Sequence, residues 1–140
     1  MSILYPKFIP LAAICLTMAC SQAGPQKNVV HYPLPEAGVV HENIPGFTCK
    51  DISYALYLPK TDGHAKNGLP VIILFDPHKS GLLPVKKYSG LALKYGYILV
   101  GSNDSKNGMP WNEVRGITSA LLTEVLSVYP IDTARIYLAG

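Results

Sequence analysis

The sequence has little cysteine and little charge. It contains three cysteines and no Cys-x-x-C pair, which excludes a paired-cysteine zinc site and a thioredoxin-type redox motif. Charged residues make up 15% of the chain, 12 Lys and Arg against 9 Asp and Glu. The only adjacent basic pair is Lys86-Lys87. Because nucleic-acid binding needs clustered basic side chains, this pattern predicts no nucleic-acid partner.

The sequence also lacks the common cofactor motifs. No G-x-G-x-x-G or Walker-type loop follows the apolar run Val71–Phe75, which disfavours a nucleotide-binding domain. Asp76, His78 and Asp104 are residue types that bind metals, but their spacing does not require a metal ion. We therefore predict neither a cofactor nor a metal site.

Long apolar runs are absent except near the N-terminus. Phe8 to Ala19 is apolar apart from Pro10 and Thr17, and it is shorter than the roughly 20 residues that a transmembrane helix needs. This pattern predicts an export signal over residues 1–19. The segment Leu16-Thr17-Met18-Ala19-Cys20 resembles a bacterial lipobox, which implies lipidation of Cys20 and a membrane anchor.

The alternative is an ordinary signal peptide cleaved near Ala19 or Ala23. Both alternatives predict export. With the lipid anchor, we expect an outer-membrane lipoprotein in the bacterial cell envelope, facing the periplasm or the cell surface.

Residues 20–38 are polar and rich in proline, which predicts a flexible tether between the anchor and a folded domain over residues 39–140. Cys49 is then the one cysteine of the mature domain beyond Cys20, and we interpret it as a small buried apolar residue.

The domain alternates between strand and helix patterns. The predicted elements are an edge strand starting at Val39-Val40, strands Ile52–Leu58 and Val71–Phe75, a helix from Pro84 to Tyr95, strand Tyr97–Val100, a helix from Pro110 to Tyr129 and strand Arg135–Gly140. This alternation predicts an α/β fold with a mostly parallel sheet and helices on both faces. Such a sheet would expose an apolar edge, so we expect the sequence to be a fragment.

Several segments, in their order and spacing, resemble the α/β-hydrolase superfamily. They are Tyr54–Pro59, Pro70–His78, Tyr95–Val100 and Tyr129–Gly140. The resemblance is to polyhydroxybutyrate-depolymerase-like and feruloyl-esterase-like bacterial lipoproteins, and it covers roughly residues 52–140. It implies that the domain is the N-terminal half of an α/β-hydrolase.

The last segment carries the most specific part of the resemblance. In those families an aspartate, two residues and Arg-Ile-Tyr-Leu precede the nucleophile elbow Gly-x-Ser-x-Gly, and Asp132 to Gly140 fits that pattern. Gly140 would be the first glycine of the elbow. The nucleophile, the acid and the histidine of the triad would all follow it, so the resemblance makes none of the chain's histidines the triad base: His31, His41, His64 and His78.

The resemblance also implies that the loop after Val71–Phe75 donates one amide to an oxyanion hole. The donor would be the amide of His78 or Lys79, with Gly81 less favoured. The alternative is that Asp76 and His78 only close a turn.

Three other residues are candidates for substrate binding. Asn103 and Asp104 follow a strand at the edge where parallel sheets bind ligands, or they hold a loop through side-chain hydrogen bonds. Trp111 offers a stacking surface, or it belongs to the apolar core of its helix.

The full-length protein is therefore predicted to hydrolyse a carboxylic ester, of a small molecule or a polymer, through an acyl-enzyme. The alternatives are a serine peptidase of the same superfamily and a small non-catalytic lipoprotein that uses an α/β module for binding. No oligomeric state is predicted.

Overall fold

The structure, a computed structural model, describes residues 32–60 and 67–140. The predicted signal segment, the lipidation site Cys20 and the first part of the tether lie outside the described residues, as do His31 and His64.

Five strands and two helices make up the described chain. In chain order they are β1 (Val40–Pro45), β2 (Ser53–Tyr57), β3 (Leu69–Phe75), α1 (Leu82–Tyr95), β4 (Ile98–Ser102), α2 (Trp111–Val128) and β5 (Ile131–Ala139). The strands form one sheet in the order β1-β2-β4-β3-β5.

The sheet is mixed, and the predicted mostly parallel half-sheet of an α/β-hydrolase is wrong. Strand β3 pairs in parallel with β4 and β5, whereas β2 is antiparallel to both β1 and β4. Residues 46–52 are too few for the crossover that a parallel β1-β2 pair would need, since such crossovers take a dozen residues or more. The apolar and β-branched residues that mark a strand do not encode its direction, which is why the sequence pattern missed the antiparallel pairs.

The two helices pack on opposite faces of the sheet. Successive strand residues point to these two faces in turn, so each strand contributes to both cores. Val85 and Ala92 of α1 pack with Ala55, Leu74 and Leu99. On the other face, α2 contributes buried residues to the larger core cluster: Leu121, Val125 and, just beyond the helix, Tyr129, with Tyr54, Leu56, Val71, Ile73, Ile98 and Val100.

The helix ends follow local chemistry. Helix α1 begins two residues before Pro84 and ends at the predicted Gly96, which has a left-handed φ of 71° and donates its N–H to the Ala92 carbonyl. Helix α2 was predicted from Pro110 to Tyr129, and these two residues are instead its caps, so that the helix is one residue shorter at each end. In the part of the chain that the structure describes, neither helix has the length and apolar character to cross a membrane.

Candidate active site

The carboxyl ends of β3, β4 and β5 lie at the same edge of the sheet because the three strands are parallel. Ligands of sheets with parallel strands bind at this edge, where the loops leave toward opposite faces. A pocket of about 370 Å³ opens there, within the size range of small-molecule sites. It is lined by Phe75, Asp76, Pro77, residues 105–109, Trp111, Val114 and Gly140.

Trp111 is the one predicted substrate-binding residue that lines this pocket. As the first residue of α2 it is 73% exposed, so it does not belong to the helix core. Phe75, Met109 and Val114 add apolar surface to the same pocket. The pocket therefore combines an accessible aromatic ring with apolar walls, as small-molecule sites commonly do.

The predicted oxyanion donors lie outside the pocket lining, in a turn that follows β3. The His78 amide donates to Asp76 Oδ1 at 2.8 Å, and the Lys79 amide donates to the Asp76 carbonyl at 3.4 Å. Lys79 has a left-handed φ of 61°, which non-glycine residues adopt rarely. Asp76 and His78 thus close a turn, and an oxyanion donor at His78 requires its amide to leave Asp76.

This turn contacts the loop that follows β4. His78 forms an isolated antiparallel bridge with Lys106, and the Asn107 amide donates to the Pro77 carbonyl at 3.0 Å. The exposed His78 ring has its Nδ1 3.6 Å from Asp76 Oδ1. Backbone hydrogen bonds between the two loops therefore shape this side of the pocket.

The side chains of Asn103 and Asp104 form hydrogen bonds with backbone groups and do not line the pocket. Asn103 Oδ1 accepts a hydrogen bond from the Gly81 amide at 3.2 Å, and its amide nitrogen donates to the Glu42 carbonyl at 3.3 Å. Asp104 Oδ2 accepts from the Ser53 amide at 2.7 Å. These contacts fix the start of α1 and the start of β2 against the end of β4.

Gly140 brings the end of β5 to the pocket beside β3. A Cβ at this position would lie 2.8 Å from Phe75 Cβ, closer than real Cβ atoms approach, and 3.0 Å from the Phe75 carbonyl oxygen, which is a tight contact. The position therefore requires glycine for a close approach of two backbones.

Ser105 lines the pocket and was not singled out from the sequence. It is buried, and among the described residues its Oγ is the only buried side-chain oxygen or nitrogen without a hydrogen-bond partner. A polar residue in a loop after a strand gives no sequence signal for this placement.

Glu124 is a second polar residue that the sequence analysis missed. Although it is fully buried in α2, its carboxylate accepts hydrogen bonds from the Phe47 amide at 2.8 Å and the Thr48 amide at 2.7 Å. The Thr48 hydroxyl also donates to it, as does the Tyr54 hydroxyl at 3.3 Å. The available signal was an acidic residue between Leu121 and Val125, on the apolar stripe of the helix.

The ionisation of this cluster follows from its contacts. Burial alone raises the pKa of Glu124, but the Thr48 hydroxyl and the amides of residues 47–49 together outweigh burial and hold that pKa below its ordinary value. Burial raises the pKa of Tyr129 to about 12, even though its hydrogen bond with Tyr54 lowers it. Burial also raises the pKa of Tyr54. The cluster is one carboxylate held by neutral donors, and none of its members lines the pocket.

Within residues 32–60 and 67–140, no three His, Cys, Asp or Glu side chains come together in a way that could hold a metal ion. No protein-family model matches the chain, and no curated protein matches its sequence.

Proposed function

We propose that these 140 residues are the N-terminal part of an exported serine hydrolase that cleaves carboxylic esters through an acyl-enzyme. The observation that carries the proposal is the close contact of Gly140 with Phe75 in the pocket at the carboxyl edge. A nucleophile elbow of the form Gly-x-Ser-x-Gly needs such a side-chain-free position next to the loop that follows β3.

The chemistry assigns distinct roles to the two sides of this pocket. A serine two residues beyond Gly140 would attack the ester carbonyl, with a histidine as general base. The oxyanion that forms on the ester carbonyl would accept hydrogen bonds from the amide of the residue after the serine and from an amide of the turn Asp76–Lys79. The Lys79 amide is the more easily released of the two predicted donors, because its hydrogen bond to Asp76 is longer than that of the His78 amide. Trp111 and Phe75 would contact the apolar part of the ester.

The test is to express the full reading frame of the source gene and to treat the product with a fluorophosphonate probe, which labels activated serines. We expect labelling and hydrolysis of p-nitrophenyl acetate, both abolished when the elbow serine is changed to alanine. The Ser105→Ala variant is the matched control and should still be labelled, since no described group accepts a hydrogen bond from the Ser105 hydroxyl and could activate it.

The 140-residue chain should show no turnover above a mock preparation. Turnover by that chain, or a reading frame with no serine in elbow spacing, would refute the proposal. Faster cleavage of p-nitroanilides than of p-nitrophenyl esters would assign the protein to the peptidases instead. Absence of labelling together with tight ligand binding would favour the non-catalytic lipoprotein.

A further inference from the structure

Helix α1 turns a set of large apolar side chains toward solvent. Leu83 is 60% exposed, Leu91 55% and Tyr95 62%. Tyr88 and Leu93 are exposed as well. These five residues, together with Lys86, Lys87 and Lys94, are called the α1 outer face below. Only Val85 and Ala92 of this helix are fully buried. Tyr88, Leu91 and Tyr95 border an apolar cleft beside the sheet, yet each keeps more than a third of its surface exposed.

The α1 outer face carries charge of one sign. The sequence Leu82–Tyr95 holds three lysines and no acidic residue. Lys86 pairs with Glu42 at 3.0 Å, whereas in the described part of the chain no carboxylate lies within ion-pair distance of Lys87 or Lys94. Those two lysines instead lie beside aromatic rings, with Nζ 5.3 Å from the Tyr88 ring centre and 5.2 Å from that of Tyr95.

This combination is typical of a helix that lies in a membrane interface. Such helices bury leucine and aromatic side chains at the boundary between headgroups and acyl chains, while lysine stems extend to the anionic headgroups. Helix α2 differs, because its exposed surface mixes Glu113 with Arg115.

We propose that the α1 outer face docks on an anionic phospholipid surface. Charge complementarity selects this occupant: Lys87 and Lys94 lie on the same exposed stripe of the helix as Leu83 and Leu91, and no carboxylate of the described residues pairs with either lysine. Anionic headgroups would neutralise the two lysines while the apolar side chains enter the boundary with the acyl chains. The inference does not depend on the proposed hydrolase activity, since it concerns a helix that contributes no residue to the pocket lining.

The experiment uses a local probe, so that anchoring by another part of the chain does not contribute. Trp111 is the only tryptophan in the chain, so the Trp111→Phe substitution removes all tryptophan fluorescence and serves as the background for each probe. Leu83→Trp then reports from the α1 outer face, and Tyr95→Trp is a second probe with a conservative aromatic exchange. Leu126→Trp is the matched control, since Leu126 is a 39% exposed leucine on α2.

Each full chain is mixed with vesicles of phosphatidylcholine alone or of phosphatidylcholine and phosphatidylglycerol in equal parts, with brominated acyl chains as quenchers. We expect a blue shift and quenching for both α1 probes on the anionic vesicles only, and neither for the α2 control. Changing Lys87 and Lys94 to glutamine should weaken the response about fivefold in affinity for each lysine.

Equal quenching of the α1 probes and the α2 control would overturn the proposal, as would no quenching on anionic vesicles. A blue-shifted α1 probe in the absence of vesicles would also overturn it, because the face would then be covered by protein, either a second copy or another part of the polypeptide. Size-exclusion chromatography separates those two cases.

Discussion

At the scale of single residues, Glu124 is the most consequential polar side chain. It joins α2 to the segment 47–49, more than 70 residues earlier in the chain, through backbone amides and the Thr48 hydroxyl. A buried carboxylate is tolerated only when its oxygens are fully hydrogen-bonded, and here both oxygens accept. Removing its charge therefore leaves the part-buried amide donors without an acceptor of equal strength.

The Glu124→Gln variant should lower the free energy of unfolding by about 2 to 3 kcal/mol, because hydrogen bonds to a charged group are stronger than neutral ones and the new amide N–H group faces other donors. Urea unfolding followed by circular dichroism measures the change. Glu113→Gln, at an exposed position in the first turn of the same helix, should change stability by no more than about 0.5 kcal/mol. Equal effects of the two variants would contradict the structural role of Glu124.

Acid should destabilise the wild-type chain through the same residue. Folding holds the pKa of Glu124 below its ordinary value of about 4.3. The ionised carboxylate therefore contributes its full share to the stability of the folded chain above that ordinary value, and this contribution is lost as the pH falls through the pKa of the folded state. Unfolding free energy measured between neutral and strongly acidic pH should fall more steeply in the wild type than in Glu124→Gln. Parallel pH profiles for the two proteins would contradict this assignment.

At the scale of elements, the start of α1 lies directly against strand β4. A Cβ added at Gly101 would collide with the backbone of Gly81, and a Cβ at Gly81 would collide with the backbone of Gly101. Asn103 then holds the Gly81 amide at this contact. The position of α1 on the sheet, and with it the turn that leads into the helix, depends on this pair of glycines.

Gly101→Ala should cost about 3 kcal/mol of stability, because the neighbouring atoms are backbone and cannot move aside as a flexible side chain can. Gly116→Ala, in α2 with open space around it, should instead stabilise the protein by about 0.5 to 1 kcal/mol through helix propensity. Thermal or urea unfolding of the two variants provides the comparison. Stabilisation by both substitutions would show that the glycine contact is not required.

At the scale of the whole molecule, the sheet has a protected middle and an open side. Strand β4 is buried along its full length and pairs on both sides, with β2 and β3. Strand β5 pairs only with β3 among the described residues. Its residues Tyr137 and Leu138 are exposed, one on each face of the sheet. Unpaired strand edges of this kind template further strand pairing.

Native-state hydrogen exchange should therefore be slowest in β4 and β3. The outward-facing amides of β5 should exchange faster by on the order of a hundredfold, since no described strand accepts their hydrogen bonds. Mass spectrometry or NMR of the full chain measures the difference. Protection of all β5 amides at high protein concentration, lost on dilution, would instead indicate that a second copy pairs with this edge.

The sequence by itself determined where strands and helices form, because those decisions rest on local chemistry. Apolar runs marked β2, β3, β4 and the second half of β5, Pro110 preceded α2, and Gly96 supplied the left-handed residue that ends α1. Of the site residues proposed from the sequence, Trp111 lines the pocket, whereas His78, Lys79, Asn103 and Asp104 do not.

Only the tertiary structure decided the direction of the strands and the partners of the polar side chains. Contacts between residues far apart in the chain set the antiparallel pairing of β2, the loop contacts of Asn103 and Asp104, and the hydrogen bonds of Glu124. The exposure of Trp111 likewise depends on which parts of the chain pack around the start of α2. The periodicity of a segment reports which of its faces is buried, but carries no information about which distant backbone group will lie opposite that face. The pocket lining, which combines residues from β3, α2, the end of β5 and the loop after β4, therefore exists only once the sheet has assembled.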